Sequence, residues 1–121
     1  MIDIDHRPDG RPWYYDRQGN GITYARYCEL RDPAGQHRDY IIVGQDQIGD
    51  VFVSTVWLGM DQNFGGGQPL IFETMTFSDR EPWDSNVVAR YATEGAAAVG
   101  HLLVCALVMG EGREIMPPER A

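Results

Sequence analysis

The stretch VSTVWLGMDQNFGGGQPLIFETM, residues 53–75, decides how this chain is read. Two apolar runs rich in β-branched and aromatic residues flank a loop holding one acid, an amide pair, a phenylalanine and three successive glycines. The first run, 51–58, alternates Val51, Val53, Thr55 and Trp57 on one face with Phe52, Ser54, Val56 and Leu58 on the other. A strand apolar on both faces is a central strand. The second run, LIFETMTF at 70–77, is its antiparallel neighbour, because a loop this short does not carry a parallel crossover.

Working outward, residues 40–45, YIIVGQ, form a third strand, with DQIGD as the turn into the first run. Residues 13–16, WYYD, suit a short strand, and RQGNG after them is turn chemistry. Thr23 caps a short helix over 24–31, with Ala25, Cys28 and Leu30 inward and Asp32-Pro33 as its end. SDREPWDSN, 78–86, reads as loop. A long helix over 93–109 opens on Thr93 as N-cap with Glu94 in its first turn, and Gly110 and Gly112 mark its stop. Val99, Leu102, Leu103 and Ala106 make one stripe along it, widened by Val104, Leu107 and Val108. A helix apolar over most of its circumference is buried on more than one side, under a curved sheet or against another copy of the chain. The fold expected is α+β: a small antiparallel meander of three to four strands packed on the long C-terminal helix. It forms a single domain over 1–121, with an extended arm over 1–11 and a mobile tail over 111–121.

Composition narrows the function. Ten basic and 18 acidic residues give a formal net charge of −8. Such a field repels polyphosphates, so direct nucleic-acid binding is not expected, whereas a basic protein partner or nucleic-acid mimicry is compatible with it. Cys28 and Cys105 are isolated and suit reduced thiols in a cytoplasmic protein. The N-terminus carries no secretion signal, and AAAVGHLLVCALVMG is too short to span a bilayer.

Several residues could carry chemistry. Consecutive glycine amides, Gly65, Gly66 and Gly67, can form an anion nest, but they lead into Pro69 and a strand and lack the lysine of a phosphate loop. Asp61 and Asn63 either brace that tip or present it, with Phe64, to a ligand. Glu73 is either exposed on an edge strand or buried against a partner such as Arg90. His101 sits inside the apolar helix. Asp61, Glu73 and His101 converge only if the loop folds back over the helix. No metal site is read, since His6, His37 and His101 have no neighbours at ligand spacing, and no cofactor is expected. No nucleophile elbow is present. Trp13, Tyr14, Tyr15 and Trp83 are candidates for a partner surface.

The motif at 51–77, followed by RYATEGAAAVGH at 90–101, resembles a group of short proteins of actinobacterial phages and prophages with no established activity. The likeness is carried by Trp57, Gly59, Asp61, Asn63, Phe64, Gly65, Glu73, Thr74, Arg90, Tyr91, Thr93, Gly100 and His101. It covers under half of the chain. Where this chain has Gln62 the group frequently has histidine, which weighs against proton transfer or metal ligation at that position. Beyond His101 the group continues as charged amphipathic helix, whereas LLVCALVM is apolar, which implies either a homodimer through this helix or an N-terminal and C-terminal context peculiar to this chain. The resemblance implies a cytoplasmic accessory protein that binds a host protein complex, with counter-defence of the anti-CRISPR kind as one form. A small-molecule or nucleotide-binding protein with its site at the glycine loop, and a virion structural subunit, are the alternatives.

Overall fold

The computed structural model of the chain describes residues 2–37, 39–81 and 85–114. Its elements are β1 (Tyr14–Tyr15), β2 (Gly21–Ile22), α1 (Tyr24–Arg31), β3 (Ile42–Ile48), β4 (Val51–Trp57), β5 (Phe72–Ser78), β6 (Ser85–Tyr91) and α2 (Glu94–Glu114). β3-β4-β5-β6 form an antiparallel sheet in chain order, and β1-β2 form a separate hairpin. The α+β reading of the sequence is therefore the observed fold.

The β3–β4 turn is tighter than the sequence reading had it. Ile48 pairs with Val51, which leaves only Gly49 and Asp50 between the strands. Gly49 takes φ +59°, the left-handed region that a two-residue hairpin needs at its first central position. Asp46, Gln47 and Ile48, expected in the turn, are consequently strand residues. Ser85 and Asn86, expected in a loop, open β6, a strand that no signal in the sequence marks. Its apolar Val87 and Val88 are exposed, so it shows no alternating burial, and its extended form comes from pairing with β5.

The register places Val53, Thr55 and Trp57 of β4 beside Thr76, Thr74 and Phe72 of β5 on the face that receives α2. Trp57 is fully buried and anchors this layer. Its indole Nε1 donates to the Tyr15 carbonyl at 3.0 Å, and its ring meets Tyr40 edge-on with centroids 4.9 Å apart. Such aromatic pairs contribute about 0.5–1.5 kcal/mol beyond the area they bury. The hairpin and α1 close the same end of the core through Tyr15, Tyr27 and Leu30. Ala25 and Cys28 of α1, expected inward, are exposed, because the helix docks on its Tyr27–Leu30 side alone.

Both helix starts follow the sequence. Thr23 Oγ1 accepts from the Arg26 amide, and Thr93 Oγ1 from the Ala96 amide. The end of α2 does not. The helix runs through Gly110 and Gly112 to Glu114, and a glycine inside a helix costs only about 1 kcal/mol relative to alanine. Trp83 and residues 115–121 of the expected tail lie outside the described residues.

The rotation of α2 about its axis is the main departure. Ala97, Gly100, His101 and Val104 face the sheet and are buried, while Val99, Leu102, Leu103, Ala106 and Leu107 face outward. Close approach selects this face. A Cβ on Gly100 would lie 2.3 Å from the Tyr91 ring, and one on Gly44 would lie 2.8 Å from the His101 ring. Only the small-residue side of the helix fits against the strands.

Candidate functional site

Beneath α2 a chain of polar side chains crosses three strands. His101 Nδ1 is 2.7 Å from Thr55 Oγ1, which is 2.6 Å from Thr74 Oγ1, which is 3.0 Å from the Tyr91 hydroxyl. On the other side of the imidazole, Nε2 is 2.7 Å from Asp46 Oδ2 on β3. Cys105, one helical turn after His101, brings its Sγ to 3.6 Å from Nε2 and 3.9 Å from Asp46 Oδ2. The Cys105 thiol is pushed above its ordinary pKa first by burial, then by the nearby Asp46 carboxylate.

A carboxylate, an imidazole and a hydroxyl in a row are the parts of a hydrolytic triad, but this row is closed. Thr55 is 0 % exposed and its hydroxyl already engages Thr74, so no substrate carbon reaches it. The row fixes the His101 ring and satisfies the polar groups under the helix. Its outer end, where Asp46, His101 and Cys105 meet, is open: the Asp46 side chain is 57 % exposed.

The glycine loop is braced. Asp61 is buried and its Oδ1 accepts from the amides of Asn63 at 2.7 Å and Leu70 at 3.0 Å. Its Oδ2 faces Arg7 Nη1 at 3.4 Å and Arg11 Nη2 at 3.6 Å. Asn63 Nδ2 donates to the Gln68 carbonyl, and Arg11 Nη2 to that of Gly67. These bonds tie the base of the loop and the turn at residues 7–11 into one unit. Gly66 and Gly67 hold φ near +88° and +87°, the reason for glycine at both. Gly65 carries no such requirement. Phe64, at the tip, is 82 % exposed.

Glu73 is buried and bonded to Arg90 Nε at 3.0 Å, directly across the β5–β6 ladder. Its strand is central, so the edge-strand reading does not hold. Glu73 pairs in register with Val56, and Thr74 with Thr55; Glu73 therefore lies on the face of the sheet opposite His101. Asp61, Glu73 and His101 each have separate partners and do not form one site. The acidic partner of His101 is instead Asp46. A His-x-x-x-Cys pair stacks both ligand atoms on one helix face, and that spacing was the available signal. The aspartate, far away in sequence, gave none.

The aromatic front is mostly self-packed. Tyr14 stacks on Tyr27 with centroids 4.5 Å apart, Tyr15 is buried, and Trp13 lies against Arg7. Burial removes Tyr15 from a partner surface. The outer side of α2 also presents apolar side chains to solvent: Val99, Leu102, Leu103, Leu107 and Met109 are 49–68 % exposed.

A cleft of about 560 Å³ opens between the β1–β2 turn, the Gln68–Pro69 end of the glycine loop and the start of α2. Arg17 and Glu94 lie in its wall, joined at 2.6 Å. None of the residues read as ligand-binding lines it.

Among the described residues no helix is long and apolar enough to cross a membrane. Comparison with protein-family models, curated proteins and solved structures finds no match to this chain.

Proposed function

We propose that this is a non-catalytic accessory protein of phage or mobile-element type that acts by binding other proteins. The observation that carries the reading is the outer face of α2, which leaves four of the largest aliphatic side chains of the chain in solvent. Apolar patches on that scale mark contact surfaces.

The occupant of this face is a second copy of the chain. Gly95, Val99, Leu102, Ala106 and Met109 follow alternating spacings of four and three, the seam of a helix pair. Small residues stand among large ones, which lets two such seams interlock. No charged residue occurs between Glu94 and Glu111, so the seam offers nothing to select a charged foreign surface.

The dimer would turn its acidic exterior to a basic partner. All ten basic residues are arginine. Arg7, Arg11, Arg17, Arg26, Arg80 and Arg90 each face a carboxylate within the chain. Much of the positive charge is therefore neutralised locally, and the excess of carboxylates is what a partner meets. The assignment to host interaction rests on the phage resemblance.

Light scattering coupled to size exclusion tests the assembly. The expected result is a dimer for the natural sequence and a folded monomer for Val99→Asp/Leu102→Asp, with unchanged circular dichroism. A natural chain that stays monomeric at high micromolar concentration, or a double variant that still dimerises, refutes it. The cleft beside Arg17 and Glu94 favours a second reading, a small-molecule binder, because its volume is that of a ligand pocket. Thermal shifts with nucleotides and small acids, lost in Arg17→Ala, would support that reading.

A further inference from the structure

The open end of the polar row has the composition and spacing of a metal site. We propose that Asp46, His101 and Cys105 form a three-ligand site for a divalent transition ion of the zinc class, with its fourth position open to solvent.

The three ligand atoms, Oδ2, Nε2 and Sγ, all lie within 4.8 Å of one another. Zinc bonds nitrogen and oxygen at about 2.0–2.1 Å and thiolate sulfur at about 2.3 Å, so tetrahedral angles set N···S near 3.6 Å, O···S near 3.6 Å and N···O near 3.3 Å. The observed separations are 3.6 Å for N···S, 3.9 Å for O···S and 2.7 Å for N···O. The two contacts to sulfur already match within a few tenths of an ångström. Only the carboxylate must retreat from the imidazole, by roughly 0.6 Å on the same bond lengths. Asp46 is the exposed member of the set, so that movement is open to it.

The ligand set is borderline in softness, one nitrogen, one sulfur and one oxygen. That mixture suits zinc or cobalt better than calcium or magnesium, which take oxygen shells. Two of the ligands sit at i and i+4 on a helix whose rotation is fixed by Gly100 and Gly44, so the site is held by rigid elements. The outer shell is also in place. Thr55 Oγ1 can accept the proton of His101 Nδ1 and pass its own hydroxyl hydrogen to Thr74, which in turn donates to Tyr91. With a metal ion bound, that direction frees the Nε2 lone pair to ligate, the tautomer a metal-binding histidine needs, and the proton of the 2.7 Å bond to Asp46 is given up. With three protein ligands and one open place, the site leaves a position for a ligand from outside the chain and is not a closed structural one.

The full-length protein, stripped with a chelator, is titrated with Co²⁺ and separately with Zn²⁺ by calorimetry. The expected result is one ion per chain and a thiolate-to-cobalt charge-transfer band in the near ultraviolet. Cys105→Ala, which removes a ligand, is expected to remove the band and to weaken Zn²⁺ binding by more than the roughly 10–100-fold that loss of an outer-shell partner costs, and Asp46→Asn to weaken it by a smaller factor. Both side chains are at or near the surface, so the variants fold and the comparison stays readable. Cys28→Ser and His6→Asn are expected to bind like the natural sequence. Failure of the natural protein to bind either ion overturns the proposal. So does binding that persists unchanged in Cys105→Ala, or that disappears in Cys28→Ser. None of these outcomes depends on dimerisation, and light scattering on the same samples separates the two.

Discussion

Gly100→Ala is expected to destabilise the protein although it places a better helix former inside a helix. In an open helical position the change is favourable by about 1 kcal/mol. At Gly100, however, the new Cβ would lie 2.3 Å from Cε1 and Oη of Tyr91 and 2.4 Å from Cζ. Ordinary contact requires more than an ångström of separation beyond that. The ring cannot simply swing away, since its hydroxyl bonds Thr74 at 3.0 Å and leads into the buried row under α2. Overpacking of this kind costs about 1–3 kcal/mol, and a contact this short belongs at the upper end. Subtracting the propensity gain leaves a net loss of about 2 kcal/mol, roughly 8 °C in Tm for a domain of this size.

Gly110→Ala, outside the seam, provides the control, and Gly95→Ala a second one when measured in the monomeric Val99→Asp/Leu102→Asp background. Nothing lies within 4 Å of a Cβ at either position, so both are expected to be neutral or stabilising by up to about 1 kcal/mol. The assay is urea unfolding followed by far-ultraviolet circular dichroism at fixed protein concentration. In a Tyr91→Ala background the penalty is expected to vanish and Gly100→Ala to become stabilising, a coupling of about 3 kcal/mol across the cycle. A Gly100→Ala variant as stable as its parent, or a penalty that survives removal of the Tyr91 ring, would falsify the account of how α2 is seated.

The Glu73–Arg90 pair is asymmetric in exposure, with side chains 10 % and 39 % accessible. Arg90→Leu should therefore cost about 2–3 kcal/mol by stranding a buried carboxylate, and Glu73→Gln only about 1 kcal/mol; equal losses in urea melts would count against this burial. Thr55→Val keeps the shape of a fully buried side chain but removes the partner of both His101 and Thr74, with an expected loss of about 1–3 kcal/mol. A melt unchanged from the parent would show the row to be energetically idle. In metal-free protein, iodoacetamide should modify the exposed Cys28 well before Cys105, whose thiol is held protonated by burial and by Asp46. Mass spectrometry at neutral pH reads the order, and Asp46→Asn should accelerate Cys105 alone.

The sequence by itself determined the elements whose signals are local. β4 was legible because its alternation is strong on both faces, and β5 because it is bound to β4 by one loop. The starts of α1 and α2 were legible because Thr23 and Thr93 satisfy backbone amides within three residues of themselves. Asp61 and Asn63 were legible as residues that matter to the glycine loop. Their bonds within the loop are local, but the tie from Asp61 to Arg7 and Arg11, fifty or more positions away, is not.

Tertiary structure decided the rest. β6 exists through its ladder with β5, since its own side chains carry no buried period. Glu73 and His101 fell on opposite faces of the sheet because register, set by pairing across strands, assigns the face. The rotation of α2 was decided by steric room at Gly44 and Gly100, which put His101 inward and the leucines outward against the ranking that hydrophobicity alone would give. That same rotation brings His101 and Cys105 to Asp46. Periodicity along one helix shows which residues share a side, but only the surface it packs on shows which side goes in.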